Sequence, residues 1–364
     1  MVVVKGQLVC GPMAVPDLLR RLLTAPGPSG YETAASAIWR EAASSFAEVE
    51  GDTLGSSTAR VPGTGGGPTL AVLGHIDEIG LMVTHADENG FLSFLRVGGW
   101  RADVLVGQRL ELLTSKGSLS GVVGRKASRP LRRGEEFPRV ELEDLHLDIG
   151  ARSREEALEL VAIGDVAVIA GEPVELANGR IASRSLDNRL GAYVALEAAR
   201  RVADAGGGPG DVVAVAAVQE EIGDFGGART SVFALEPQVA LAVDITGATD
   251  APGGDPKIDG AAVLGAGPIL NRGSTIAPRV FDLLVEAAEG EGIPYAVNVS
   301  AGSTHTDMDA AYLSRAGIAT GLVSIPIRYT HSPVETVALE DVEASIRLVA
   351  AFADRLRPGL ELAR

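Results

Sequence analysis

The sequence predicts an α/β fold: a three-layer α/β/α sandwich formed by both ends of the chain, interrupted by an inserted β-rich, barrel-like domain. Three observations carry this reading. Continuous apolar runs at residues 69–73, 212–218, 239–243 and 319–325 read as strands covered by helices on both faces. Helical patterns alternate with those runs. Between Leu81 and about Val174 the chain switches to short alternating segments separated by turns. The boundaries fall at 1–80 and 175–364 for the two parts of the sandwich and at 81–174 for the insertion, and 364 residues suit such a two-domain chain.

The elements follow in order. Residues 15–24 read as a short helix, with Pro16 near its first turn and Leu18, Leu19, Leu22 and Leu23 on one side. The breaker Ala25-Pro26-Gly27-Pro28-Ser29-Gly30 stops it, and the Ala-rich stretch 32–48 reads as a second helix. In the insertion, Asp87-Glu88-Asn89-Gly90 has the composition of a hairpin turn between strands 81–84 and 91–97. Further strands fit 109–114, 118–124 and 166–169, a short helix fits 153–160, and the charged stretch 129–136 reads as a solvated loop. Beyond Ile181, helices fit 188–205, 278–289, 307–316 and 339–356. Gly63-Thr64-Gly65-Gly66-Gly67 lacks the Lys-Ser/Thr of a phosphate loop and reads as a flexible turn.

Composition narrows the function. Hydrophobic residues make up 46% and charged residues 22%, enough to bury a sizeable core. With 32 Lys+Arg against 48 Asp+Glu, the net charge is −16, so neither nucleic acid nor an anionic membrane surface is an expected partner. The single cysteine, Cys10, cannot form an intramolecular disulfide or a cysteine zinc cluster and reads as structural. This fits a reducing compartment, and a cytoplasmic location is expected. The opening residues lack the succession of a signal peptide, and no apolar run approaches the ~18–20 residues of a membrane span.

Polar residues collect at the strand ends. His75 and Asp77 follow the first apolar run, Glu220 and Glu221 the second and Asp244 the third, while His331 lies a few residues beyond the fourth. In open α/β sheets, sites form outside the carboxyl ends of strands. Asp187 stands just before a helix, where a carboxylate is also easily presented. Imidazoles among several acids suit a pair of divalent ions with a bridging carboxylate, keeping zinc, cobalt and manganese open. One of the adjacent glutamates could bind metal while the other serves as base, and Asp77 could fix the tautomer of His75. Each signal has a plainer alternative: Asp187 as a helix cap, Asp244 as the start of a turn, Glu220-Glu221 as a solvated loop. His85 and His146 read as surface or packing residues. His305 is open between opening a helix and lining the pocket, and the joint placement of the others favours a site.

Five segments make the pattern recognisable: Ala25-Pro26-Gly27-Pro28-Ser29-Gly30-Tyr31-Glu32, Gly74-His75-Ile76-Asp77-Glu78-Ile79-Gly80, Ser185-Leu186-Asp187-Asn188-Arg189, Val218-Gln219-Glu220-Glu221-Ile222-Gly223, and Arg328-Tyr329-Thr330-His331-Ser332-Pro333-Val334-Glu335. In these the chain resembles the glutamyl aminopeptidase or tetrahedral (TET) aminopeptidase family, dinuclear metallopeptidases sometimes labelled cellulases or endoglucanases. The resemblance implies a metallopeptidase-type catalytic domain and a role for each residue. His75 and Asp244 would bind one ion, Glu221 and His331 the other, and Asp187 would bridge them. Glu220 would be the general base, and Asp77 would orient His75. The inserted domain would mediate dimerisation, and dimers would assemble into a hollow dodecamer. Two departures stand out: the run from Glu221 to Ala228 is one residue longer than the family's usual form, and the loop from Gly124 to Pro130 lacks a histidine often found there.

The expected activity is that of a metallo-aminopeptidase on peptide substrates, with two Zn²⁺ or Co²⁺ ions per subunit, or Mn²⁺. A metal-bridging water activated by Glu220 would be the nucleophile. A deacylase or amidohydrolase acting on blocked amines would use the same centre, and a catalytically idle, metal-stabilised assembly protein would leave Glu220 without a task. A glycosidase needs a different pair of carboxyls and has no use for the histidines.

Overall fold

The apolar runs form the middle of a central sheet. The computed structural model describes residues 14–126 and 139–363; Cys10 and the stretch 129–136 lie outside them. The chain begins the sheet with β1 (Glu48–Gly51), β2 (Ser57–Val61) and β3 (Leu70–His75). It then builds a closed barrel from β4 (Gly80–Ala86), β5 (Leu92–Val97), β6 (Arg109–Thr114), β7 (Gly117–Arg125), β8 (Leu145–Asp148) and β9 (Val166–Ile169). After β10 (Val174–Leu176) and β11 (Arg180–Ser183) it returns with β12 (Val212–Ala217), β13 (Val239–Gly247), β14 (Ile269–Gly273), β15 (Ala296–Ser300) and β16 (Ala319–Ile327); β17 (Glu335–Ala338) joins β10 and β11 in a small second sheet.

The order in the large sheet is β1-β2-β12-β3-β13-β16-β14-β15, with β12, β3, β13 and β16 mutually parallel. Their carboxyl ends therefore share one edge.

The helices are α1 (Asp17–Thr24), α2 (Thr33–Ala43), α3 (Ala102–Leu105), α4 (Arg154–Leu160), α5 (Leu186–Asp204), α6 (Gly226–Leu235), α7 (Pro256–Asp259), α8 (Pro278–Gly290), α9 (Met308–Ala311) and α10 (Leu339–Ala353). Residues of β12 alternate between two cores. Val212, Ala214 and Ala216 belong to the core that α1, α2, α5, α8 and α10 share, whereas Val213, Val215 and Ala217 belong to a second core with α6 and α9. Burial on both faces is why the strand reads as an unbroken apolar run. The barrel has its own core around Leu81, Leu92, Leu110, Leu112 and Leu147. Helix α5 presses directly on β3: a Cβ on Gly74 would lie 2.1 Å from the Gly191 carbonyl carbon.

Three expectations change. The helix expected over 32–48 ends at Ala43, where the hydroxyls of Ser44 and Ser45 bond back to the carbonyls of Arg40 and Ala42 and the chain turns into β1. The helix expected over 307–316 shortens to α9: beyond it the Ser314 amide bonds to the Ala311 carbonyl in a tight turn, and Arg315 is left-handed (φ +53°). The Gly63–67 turn is held by bonds from Thr64, Gly65 and Gly67 amides to the carbonyls of Gly208 and Pro209. The outer strands β1, β2, β14 and β15 carry polar residues on partly exposed faces and gave no continuous apolar signal. Among the described residues no helix is long and apolar enough to cross a membrane.

Candidate metal centre

The shared sheet edge brings the predicted residues together. His75 is the last residue of β3, Glu220 and Glu221 follow β12, Asp244 lies within β13 and His331 follows β16, while Asp187 begins α5. All six line one cavity of about 600 Å³. Asp77 lies beneath it, fully buried. Backbone geometry aims these side chains. Nine non-glycine residues among those described have positive φ, and six of them, Ser185, Gln219, Phe225, His305, Tyr329 and His331, lie in the segments around the cavity. Such strained positions persist where surrounding contacts impose them.

Asp187 stands between two imidazoles. Its Oδ1 is 3.3 Å from His75 Nε2 and its Oδ2 is 3.3 Å from His331 Nε2. Glu221 Oε2 lies 3.4 Å from His331 Nε2, and Glu220 Oε2 lies 3.7 Å from His75 Nε2. Two sets of side chains place their ligand atoms within 4.8 Å of one another and could each hold an ion: His75, Asp187 and Asp244, and Asp187, Glu221 and His331. They share Asp187. A third overlapping set joins His75, Glu220 and Glu221.

Asp77 serves several groups at once. Its Oδ1 lies 3.4 Å from His75 Nδ1 and accepts the Glu220 amide at 3.2 Å. Its Oδ2 accepts the Glu221 amide at 3.1 Å and the Ser29 hydroxyl. Glu335 plays a similar part, which the sequence reading missed. It accepts the backbone amides of Asp187 at 3.1 Å and of His331 at 2.9 Å, tying together two segments far apart in sequence. Its signal was present, as the acid four residues beyond His331, but only the fold reveals the Asp187 contact. Asp307 was also missed. It is buried near the cavity, and neither carboxylate oxygen has a hydrogen-bond partner among the described residues.

The remaining histidines separate. His305 lines the cavity from a left-handed, exposed position, whereas His85 is exposed on β4 and His146 packs edge-on against Phe91 at 4.9 Å. The departure in the loop after Glu221 also reaches the site, since Gly223 and Phe225 line the cavity. The barrel contributes a close approach: a Cβ on Gly99 would lie 2.5 Å from His331 Nδ1.

The electrostatics show what the crevice requires. Asp77, Asp187, Glu220, Glu221, Asp244, Asp307 and Glu335 gather around His75 and His331. Burial pushes the Glu220 carboxyl up to about 10, and nearby Asp244, Asp307 and Glu221 add to the effect. Burial likewise raises Glu221, Asp244 and Glu335, and carries Asp307 to about 7. Burial alone would depress His75, but the field of Glu220 and the contacts with Asp187 and Asp77 reverse it. Contacts with Asp187 and Glu221 lift His331 to about 11. Asp187 is held low despite burial, chiefly by His331 and His75. Buried arginines do not relieve this excess, because Arg184 and Arg189 pair with Glu78. The donor set of two imidazoles and several carboxylates, with Glu221 Oε1 buried and without a partner among the described residues, fits divalent cations.

Known proteins are similar to this chain along most of its length. A family model described as M42 glutamyl aminopeptidase matches residues 55–348. The lysyl aminopeptidase of Pyrococcus furiosus is 36% identical over 349 residues, covering 94% of this chain and 97% of the relative. The crystal structure of a TET aminopeptidase from the marine sediment archaeon Thaumarchaeota archaeon SCGC AB-539-E09 superposes with a TM-score of 0.88 at 35% identity, covering 94% of this chain and 96% of the other. The Pyrococcus horikoshii TET1 peptidase, described as assembling into a tetrahedron or a large octahedral shell, gives a TM-score of 0.80 at 32% identity, with 93% of this chain and 99% of the other covered.

The crevice predicts a pH dependence for the metal-free protein. Glu220, Asp307 and His331 bind protons more tightly when folded than when unfolded. Their stabilisation is complete below the unfolded values, about 4 for the acids and 6.5 for histidine, and is lost as pH rises through the folded values. The thermal midpoint of chelated protein should therefore fall between pH ~5 and ~10, and added divalent metal should flatten the fall. A midpoint of chelated protein that climbs over this range would contradict the charge balance.

Proposed function

The chain belongs to the M42 glutamyl aminopeptidase family, and on that premise we propose that it removes N-terminal residues from peptides with a dinuclear metal centre and Glu220 as general base. One observation carries the proposal: Asp187 offers one oxygen to each of two imidazoles, while Glu220 belongs to neither of the two ligand sets that share it.

His75, Asp187 and Asp244 would hold one ion, and Asp187, Glu221 and His331 the other. Divalent cations held there would supply Lewis-acid polarisation of the scissile carbonyl and a water acidic near neutral pH. Zinc and cobalt suit the donors, and manganese is compatible with them.

The chain's own side chains do the rest. Glu220 takes a proton from the attacking water and returns it to the leaving amine. At 8% exposure its carboxylate is largely shielded from competing solvent. Asp77 fixes the far side of His75 and, through the Glu220 and Glu221 amides, the direction in which both glutamates project. Glu335 keeps Asp187 and His331 in register.

We further propose that the chain assembles as its TET relatives do, with the barrel supplying the dimer contact. Its exposed apolar residues, Leu95 at 62% and Ile163 at 56%, support that role. Light scattering should then give a mass well above 37.5 kDa, and a monomer would refute the assembly.

The mechanism separates two kinds of variant. Glu220→Gln should retain metal and lose about 10²- to 10⁴-fold in kcat. Asp187→Ala should lose metal itself, as elemental analysis would show. Peptides with free N-termini should be cleaved and their acetylated counterparts spared, with chelator abolishing turnover. Faster cleavage of the acetylated set would instead indicate a deacylase, and an active Glu220→Gln would remove that residue from the mechanism.

A further inference from the structure

The segment 25–32 supplies no residue that lines the cavity, yet it reaches the chain beneath it at three points. The Gly27 amide donates to Glu78 Oε1 at 3.1 Å, and the Ser29 hydroxyl donates to Asp77 Oδ2. Glu32 Oε1 accepts the backbone amide of Gln219 at 3.1 Å and that of Gly30 at 2.7 Å. Glu32 is only 4% exposed, and one of its oxygens receives both amides.

Gln219 is the residue before Glu220 and stands at φ +60°. A side chain with a Cβ adopts that conformation at a cost, and glutamine is not among the residues that favour it. The turn has a clear geometric effect. Strand β12 ends at Ala217, and on a continuing strand Glu220 and Glu221 would point to opposite sides. Here both line the cavity, and both amides reach Asp77. The left-handed residue redirects the chain after the strand, and the bond from its amide to Glu32 comes from a distant part of the sequence.

We propose that Glu32 is a positioning residue for Glu220: it clasps the amide of left-handed Gln219 and thereby sets the direction in which the Glu220 carboxylate meets the substrate. The proposal rests on Glu220 acting as the base.

The test uses full-length, metal-reconstituted protein and reads kcat, KM, metal per chain and thermal midpoint. Glu32→Ala should lower kcat by about 10- to 100-fold while KM and metal content stay within about 2-fold, the signature of a misplaced catalytic group. Glu32→Gln keeps an oxygen that can accept both amides and should hold kcat within about 3-fold. Gln219→Gly added to Glu32→Ala should recover at least about 3-fold, because glycine takes a positive φ without strain. A structural defect elsewhere would not be relieved by that second change. If Glu32→Ala does not fold, Gln219→Val alone carries the same expected loss of kcat, since a β-branched residue resists the left-handed turn.

Unchanged kcat in Glu32→Ala, a loss that tracks metal content, or no recovery from Gln219→Gly overturns the proposal. So does full activity in Gln219→Val if that variant is the one available. Glu220→Gln, run alongside, separates the two readings. If it remains active, the assignment of the base falls and the positioning role with it. If it is inactive while Glu32→Ala keeps full kcat, only the positioning role is wrong.

Discussion

More carboxylates are buried in one crevice than the described amides and arginines pair, and the rest of the site follows from that excess. A buried carboxylate needs hydrogen bonds, a cation or a proton. The protein supplies the first two in different places. Asp77, Glu32 and Glu335 are satisfied largely by backbone amides. Glu78 is paired with two buried arginines, Arg184 and Arg189. Asp187, Glu220, Glu221 and Asp244 are left facing one another and two imidazoles across the cavity. That remainder is a donor set that could hold divalent cations.

The amide-binding carboxylates also explain how segments remote in sequence hold their alignment. Each joins pieces that no single element connects: Asp77 links β3 to the turn after β12, Glu335 links the start of α5 to the loop after β16, and Glu32 links the segment before α2 to Gln219. Asn188 adds a neutral version, donating to the Val243 carbonyl at 2.8 Å beside Asp244. Parallel strands deliver the functional side chains to one edge, and these clasps stabilise the left-handed turns that aim them. Rigidity of this kind matters because a catalytic group displaced by about 1 Å can lose a hundredfold in rate.

Much of this was legible in the sequence. The strands buried on both faces announced themselves as apolar runs, and the polar residues at their ends pointed to the crevice before any side chain was placed. The α/β class and the barrel-like insertion were readable for the same reason: the periodicity changes where the chain leaves the sandwich. Strands such as β2 and β14 were hidden because one face is only partly covered, which leaves polar residues among the apolar ones. The clasps were harder still. Glu32 reads as the start of a helix and Glu335 as the tail of a motif, because the amides they bind are 187 and 148 residues away in sequence for Gln219 and Asp187 respectively. Pairings of that range are set by the fold and leave no local pattern.

The central claim is that the crevice is built for two cations that share Asp187. Anomalous diffraction from crystals soaked in zinc or cobalt, recorded at the metal's absorption edge, tests it most directly. The account predicts two peaks flanking Asp187, one beside His75 and Asp244 and the other beside Glu221 and His331. A single peak, or peaks that leave Asp187 without a metal contact, would contradict it.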